Sequence, residues 1–178
     1  MIDQVRNGRY TQMALYALLV LAMLLLRLLP LSPGATRWPG PDLSLCLTFV
    51  WVLRRPDQIP ALLIALAFLV EDLVLLRPIG LWAAFVVLAS EAARLREQRW
   101  REQSFMVEWF RVSVLIVLMM FGYRIALAVF FLPLPSFGQM MMQLIATVMA
   151  YPAVALAAHW ILGLTRLNIT EAEIMRQR

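Results

Sequence analysis

Six apolar runs follow one another through this chain with barely enough polar sequence between them to turn a corner, and that succession limits the fold more than any other feature. An α-helix needs about twenty mainly apolar residues to cross about 30 Å of hydrocarbon. Only helices and closed barrels satisfy their own backbone hydrogen bonds in lipid. The runs lie at about 10–29, 41–53, 59–76, 79–93, 105–132 and 139–164. They predict an all-α membrane protein, a six-transmembrane-helix bundle forming one integral membrane domain over residues 1–178. Composition agrees: 62% of the 178 residues are hydrophobic and 15% charged, which leaves too little polar sequence for a separate water-soluble core.

The second run, at about thirteen residues, is shorter than a standard span; it is either re-entrant or crosses with help from local bilayer thinning. Charge distribution favours crossing. All sixteen positive charges are arginines, and cytoplasmic loops are enriched in such residues. Six crossings gather Arg6, Arg9, Arg54, Arg55, Arg94, Arg96, Arg99, Arg101, Arg166, Arg176 and Arg178 on one side and leave Arg27, Arg37 and Arg77 on the other. The expected topology has both termini in the cytoplasm. The first run is long for the apolar core of a signal peptide and meets Pro30 and Pro33 rather than a small-residue cleavage site, so it reads as a retained helix. Trp38 and Trp82 fall near expected outer ends, and Trp51, Trp100, Trp109 and Trp160 near inner ends, as indole's interfacial preference suggests; filling space between helices is the alternative.

Catalytic and metal-binding patterns are missing from the sequence. Cys46 is the single cysteine, set in an apolar run, and reads as a buried small hydrophobe. His159 is the single histidine and has no ligand set around it. No serine has a histidine or lysine at useful spacing, and there is no phosphate loop or dinucleotide fingerprint. We expect no enzyme activity, no cofactor, no metal and no nucleic-acid partner. The arginine-rich stretch Arg94–Glu102 suits anionic lipid headgroups or a cytoplasmic partner, although a cytoplasmic loop of this composition also follows from topology alone. Met140–Met142 form an adaptable apolar surface. Charges inside the hydrocarbon are costly and usually face protein. Glu71 and Asp72 in the third run and Arg124 in the fifth are of this kind. Their similar depth predicts that Arg124 pairs with Asp72, or less readily with Glu71. Adjacent helical residues diverge by about 100°, so the two carboxylates are not expected to converge on one substrate atom.

Glu71-Asp72 followed by Arg77-Pro78-Ile79-Gly80 and an apolar helix resembles the D-x5-P-(L/I)-G signature of MreD, the bacterial rod-shape-determining membrane protein family. The preceding W-x2-R-R-P stretch, Trp51 to Pro56, is similar to that family's aromatic and Arg-Pro turn, and the six-span plan matches over nearly the whole chain. Ala67, Phe68 and Val70 stand where family members commonly place glycines. The resemblance implies roles for Asp72, Pro78 and Gly80 in one motif. It also implies a non-enzymatic scaffold of the cell-elongation machinery, in direct contact with MreC and, through it, with MreB, RodA and the class B penicillin-binding protein of peptidoglycan synthesis. That family is in turn similar to the six-helix substrate-binding subunits of energy-coupling-factor vitamin transporters, so a small-molecule-binding subunit is the runner-up. Polar side chains at Glu71, Asp72 and Arg124 and the basic residues Arg94, Arg96, Arg99 and Arg101 are the candidate site residues. Gly80 to Leu is expected to disturb the start of the fourth helix.

Overall fold

The computed structural model describes residues 2–29, 40–95 and 104–162, with side chains described over 10–29, 40–95 and 104–160. Among them are six α-helices and no strand: α1 (Ile2–Leu28), α2 (Leu43–Arg54), α3 (Ala61–Val74), α4 (Leu81–Leu95), α5 (Phe105–Val129) and α6 (Phe137–Leu162), with a single 3-10 turn at Pro56–Gln58 between α2 and α3. Each helix overlaps one of the six apolar runs, with α1 beginning eight residues before its run. Three of them, over Tyr10–Leu28, Phe105–Val129 and Phe137–Trp160, are long and apolar enough to cross a membrane, which marks the chain as a membrane protein. The others are only 12, 14 and 15 residues long.

The short second run becomes the centre of the bundle. Of the 12 residues of α2, all but Leu43 and Leu53 are buried. It packs against α1, α4 and α6, while the outer helices follow one another in the order α1, α3, α4, α5, α6. Its apolarity therefore serves contact with protein more than with lipid. Asp42 starts it, accepting the Leu45 backbone N–H at 3.2 Å as an N-cap. Arg55 stops it with an N–H to the Trp51 carbonyl at 2.7 Å, just before Pro56. From α1, Tyr16 reaches it edge-on against the Trp51 ring, at 5.7 Å between centroids, and through a 2.9 Å bond to Thr48. The Thr48 hydroxyl already donates to the Ser44 carbonyl, so Tyr16 is the donor of the pair.

Two helix ends share one device. At α3 the Arg77 N–H bonds the Asp72 carbonyl and the Leu76 N–H the Leu73 carbonyl; at α5 Leu132 and Phe131 bond Leu127 and Ala128 in the same way. These are Schellman closures. Both place a bulky apolar residue at positive φ, Leu76 at 53° and Phe131 at 52°, and each is followed two residues on by proline.

Helix α6 contains Pro152, which has no N–H for the carbonyl four residues back. That carbonyl belongs to Val148, and Trp109 of α5 donates its indole N–H to it at 2.9 Å. Tyr151 donates to Glu108 at 2.9 Å alongside. Further along, α4 and α5 come close at Gly122, where a Cβ would lie 2.8 Å from the Phe85 ring, and the Tyr123 ring meets Trp82 edge-on at 5.1 Å.

The tryptophans depart in part from the interfacial expectation. Trp51 and Trp82 are buried core residues, while Trp160 is exposed; Trp38 and Trp100 lie outside the described residues. Cys46 is buried and free, its thiol 3.4 Å from the Thr147 carbonyl.

Candidate functional site

The end of the bundle where α1 and α3 finish and α2 and α4 begin holds most of the buried charge. Arg27, one residue before the end of α1, donates to Glu71 Oε1 at 3.0 Å and to Asp42 Oδ2 at 3.4 Å. Arg77, just past α3, lies 3.8 Å from the same Glu71 oxygen. Ser44 Oγ stands 2.8 Å from both Asp42 Oδ1 and Glu71 Oε2; its one proton serves one carboxylate at a time. The Asp42 N–H donates to Thr147 Oγ1 at 3.1 Å, and Thr147 passes its own proton to the Gln143 carbonyl at 2.7 Å. One charged node thus ties α1, α2, α3 and α6 together. Asp42 and Glu71 are almost fully buried, whereas the Arg27 side chain keeps 29% of its surface exposed. Two arginines against two carboxylates leave it close to neutral, as burial requires.

Asp72 faces the other way. Its Oδ2 accepts the backbone N–H groups of Gly80 at 3.1 Å and Ala83 at 3.2 Å, so a side chain from the last turn of α3 caps the first turn of α4. Unpaired N–H groups and the positive end of the helix dipole meet a buried carboxylate there. Gly80 has φ of +79° and finds only the Leu69 side chain, at 3.8 Å, near a hypothetical Cβ. Glycine is required for backbone conformation, not for space. Pro78 sits between the Schellman closure and this cap. The residues Asp72, Pro78 and Gly80 therefore form one carboxylate clamp that folds α3 back on α4.

The expected pair of Arg124 with Asp72 or Glu71 does not form. Arg124 donates to the Pro135 carbonyl at 2.7 Å and lies over the Phe137 ring at 5.6 Å, bracing the α5–α6 turn. Similar depth counted along the runs does not set direction: Asp72 points at the α4 start and Glu71 at α1, where Arg27 supplies the cation. Divergence of the adjacent carboxylates follows the 100° step between neighbours. Arg27, Asp42, Ser44 and Thr147 were missed as site residues. The available signal was Asp42 at the head of an apolar run, an N-cap position whose carboxylate has to be satisfied by something buried.

At the opposite end Arg94 is not a free headgroup-binding cation. It donates to the Pro56 carbonyl at 3.0 Å and to the Ile59 carbonyl, and pairs with Glu91 at 3.1 Å. It satisfies the carbonyls of the α2–α3 connection because no strand or helix bond is available there. Arg96, Arg99 and Arg101 lie outside the described residues. Among the described residues no group of three or more His, Cys, Asp or Glu side chains is placed to hold a metal ion.

Comparison with known proteins returns nothing: no family model, no curated protein and no solved structure matches the chain.

Proposed function

We propose that this chain is a non-enzymatic scaffold subunit of the bacterial inner membrane, acting in cell elongation as members of the MreD family do. In this reading it crosses the membrane six times with both termini in the cytoplasm. It binds MreC directly and, through it, works with MreB, RodA and a class B penicillin-binding protein in peptidoglycan synthesis. The observation that carries the reading is the clamp. Asp72, Pro78 and Gly80, the residues of the family-like signature, act together on one turn, with the carboxylate Oδ2 bonded to the N–H groups of Gly80 and Ala83. A device that fixes a helical hairpin suits a protein whose task is to present helix faces to partners.

The second reading is a substrate-binding subunit of a vitamin-type transporter, favoured by the node of Arg27, Asp42, Ser44 and Glu71 at one bundle end. Affinity capture of the tagged chain from gently solubilised membranes, with mass spectrometry of bound proteins and of small molecules, separates the two. Recovery of MreC and RodA-type proteins supports the scaffold. Recovery of ATPase subunits or a vitamin supports the transporter and sinks the first reading.

A further inference from the structure

The exposed apolar flanks of the bundle are unequal in height. At about 1.5 Å per residue, the 25 residues of α5 and 26 of α6 run to about 37 and 39 Å, whereas the 14 of α3 and 15 of α4 reach only about 21 and 22 Å. The exposed apolar side chains follow suit. Along α5 and its end they extend from Phe105 to Phe131; along α3 and its end they extend from Leu62 to Leu76, with Ile79 in the turn beyond. Charge flanks the short face at both ends, with Arg77 just past Leu76 at one and Asp57, Glu91 and Arg94 at the other. Helices α3 and α4 are neighbours, as are α5 and α6, so the short and long faces form two separate flanks rather than alternating around the ring.

A helix longer than the hydrocarbon layer tilts to fit, whereas a shorter one is met by a thinned bilayer, by snorkelling of its flanking residues or by association with another copy. We propose that the α3–α4 flank thins the bilayer against it and that lipids with shorter acyl chains are its preferred neighbours. The occupant is lipid because the face is apolar, bounded by charge at each end and shorter than the roughly 30 Å of an ordinary hydrocarbon core. Leu76, 92% exposed, ends the apolar face on this side. The inference rests on the proposed six-crossing topology, in which α3 and α4 span the layer, and does not depend on the scaffold or transporter reading.

The test is a depth scan by spin labelling of the full chain in vesicles of dioleoyl phosphatidylcholine and phosphatidylglycerol. With Cys46 replaced by alanine, single cysteines at Leu62, Leu66, Val70 and Leu76 on α3, and at Phe110, Leu118 and Ile125 on α5, report accessibility to oxygen, which favours lipid, and to a water-soluble nickel chelate. These side chains are all exposed, and several positions per helix keep the reading independent of any one variant that folds poorly. Labels at Leu62 and Leu76 are expected to be several-fold more accessible to nickel than Leu118, with a hydrocarbon centre between Leu66 and Val70. In vesicles of shorter-chain lipid the nickel accessibility of the Leu62 and Leu76 labels should rise little, because the layer beside them is already thin, while that of Phe110 and Ile125 should rise clearly. Labels at Leu62 and Leu76 as inaccessible to nickel as Leu118 would overturn the proposal. So would immobile α3 labels reached by neither reagent, which would mean that a second copy or another protein covers the face.

Discussion

Asp72 holds the α3–α4 turn through one oxygen and two backbone N–H groups, and its substitutions should grade accordingly. Asp72→Ala leaves both donors without a partner and is expected to cost about 2–3 kcal/mol, whereas Asp72→Asn keeps an acceptor and loses about 1 kcal/mol. Thermal unfolding of the purified protein in detergent should rank wild type above Asn above Ala; equal midpoints for all three would remove the clamp. At the node, Arg27→Gln leaves Glu71 and Asp42 with a weaker donor and is expected to cost about 3 kcal/mol, in line with breaking a buried pair. Adding Glu71→Gln removes the stranded charge, so the double variant should be more stable than Arg27→Gln alone. A double variant less stable than either single would show that the two residues act separately. The residue scale is also where sequence reading reached least far. Charge and depth were legible for Glu71, Asp72 and Arg124, but direction around the helix was not, and direction decides partners. Arg27 read as an outer-side charge because nothing in the sequence states that α2 begins beside it.

Pro152 and Trp109 show how one helix repairs another. Proline cannot supply the N–H that the Val148 carbonyl would receive in an unbroken helix, and the indole of α5 supplies it instead. Trp109→Phe keeps most of the ring but strands that carbonyl, so it is expected to cost about 1–2 kcal/mol. In a Pro152→Ala background the helix provides its own donor, and the same Trp109→Phe change should cost less than half as much. Unfolding midpoints of the four proteins give the coupling directly; a Trp109→Phe effect of the same size in both backgrounds would break the link. Elements themselves were legible, since a run of apolar residues bounded by Pro, Gly or charge marks a helix whichever surroundings it finally meets. The kind of surroundings was not. Trp51 and Trp82 sit at the ends of their runs, as interfacial indoles do, yet both are enclosed by neighbouring helices, because the end of α2 and the start of α4 that carry them lie inside the bundle. Sequence position records distance from a helix end, whereas burial depends on which helices pack beside it.

For the molecule as a whole, the decisive relation is that the most buried helix is the shortest and the earliest of the interior elements. Helix α2 has 12 residues, too few to cross hydrocarbon unaided, and it is enclosed by α1, α4 and α6, two of which follow it in the chain. Its two ends are polar: the charged node at Asp42 and Ser44, and Arg54 and Arg55 at the other. In the proposed topology nothing local holds such a segment across a membrane, so its position has to come from packing acquired after the later helices are made. Truncation should reveal this. In a Cys46→Ala background, Asp57→Cys puts a single thiol at an exposed position of the α2–α3 connection, and a membrane-impermeant maleimide added to intact cells reports the side on which it lies. In the full chain the introduced thiol is expected to be protected if the proposed six crossings put that connection in the cytoplasm. A chain ending after Pro60 lacks α4 and α6, and there the same thiol should label, because α2 has slipped back to the outer face. Protection in both chains would mean that α2 inserts by its own hydrophobicity, and labelling in both would place the connection outside even in the folded bundle, which removes the six-crossing topology.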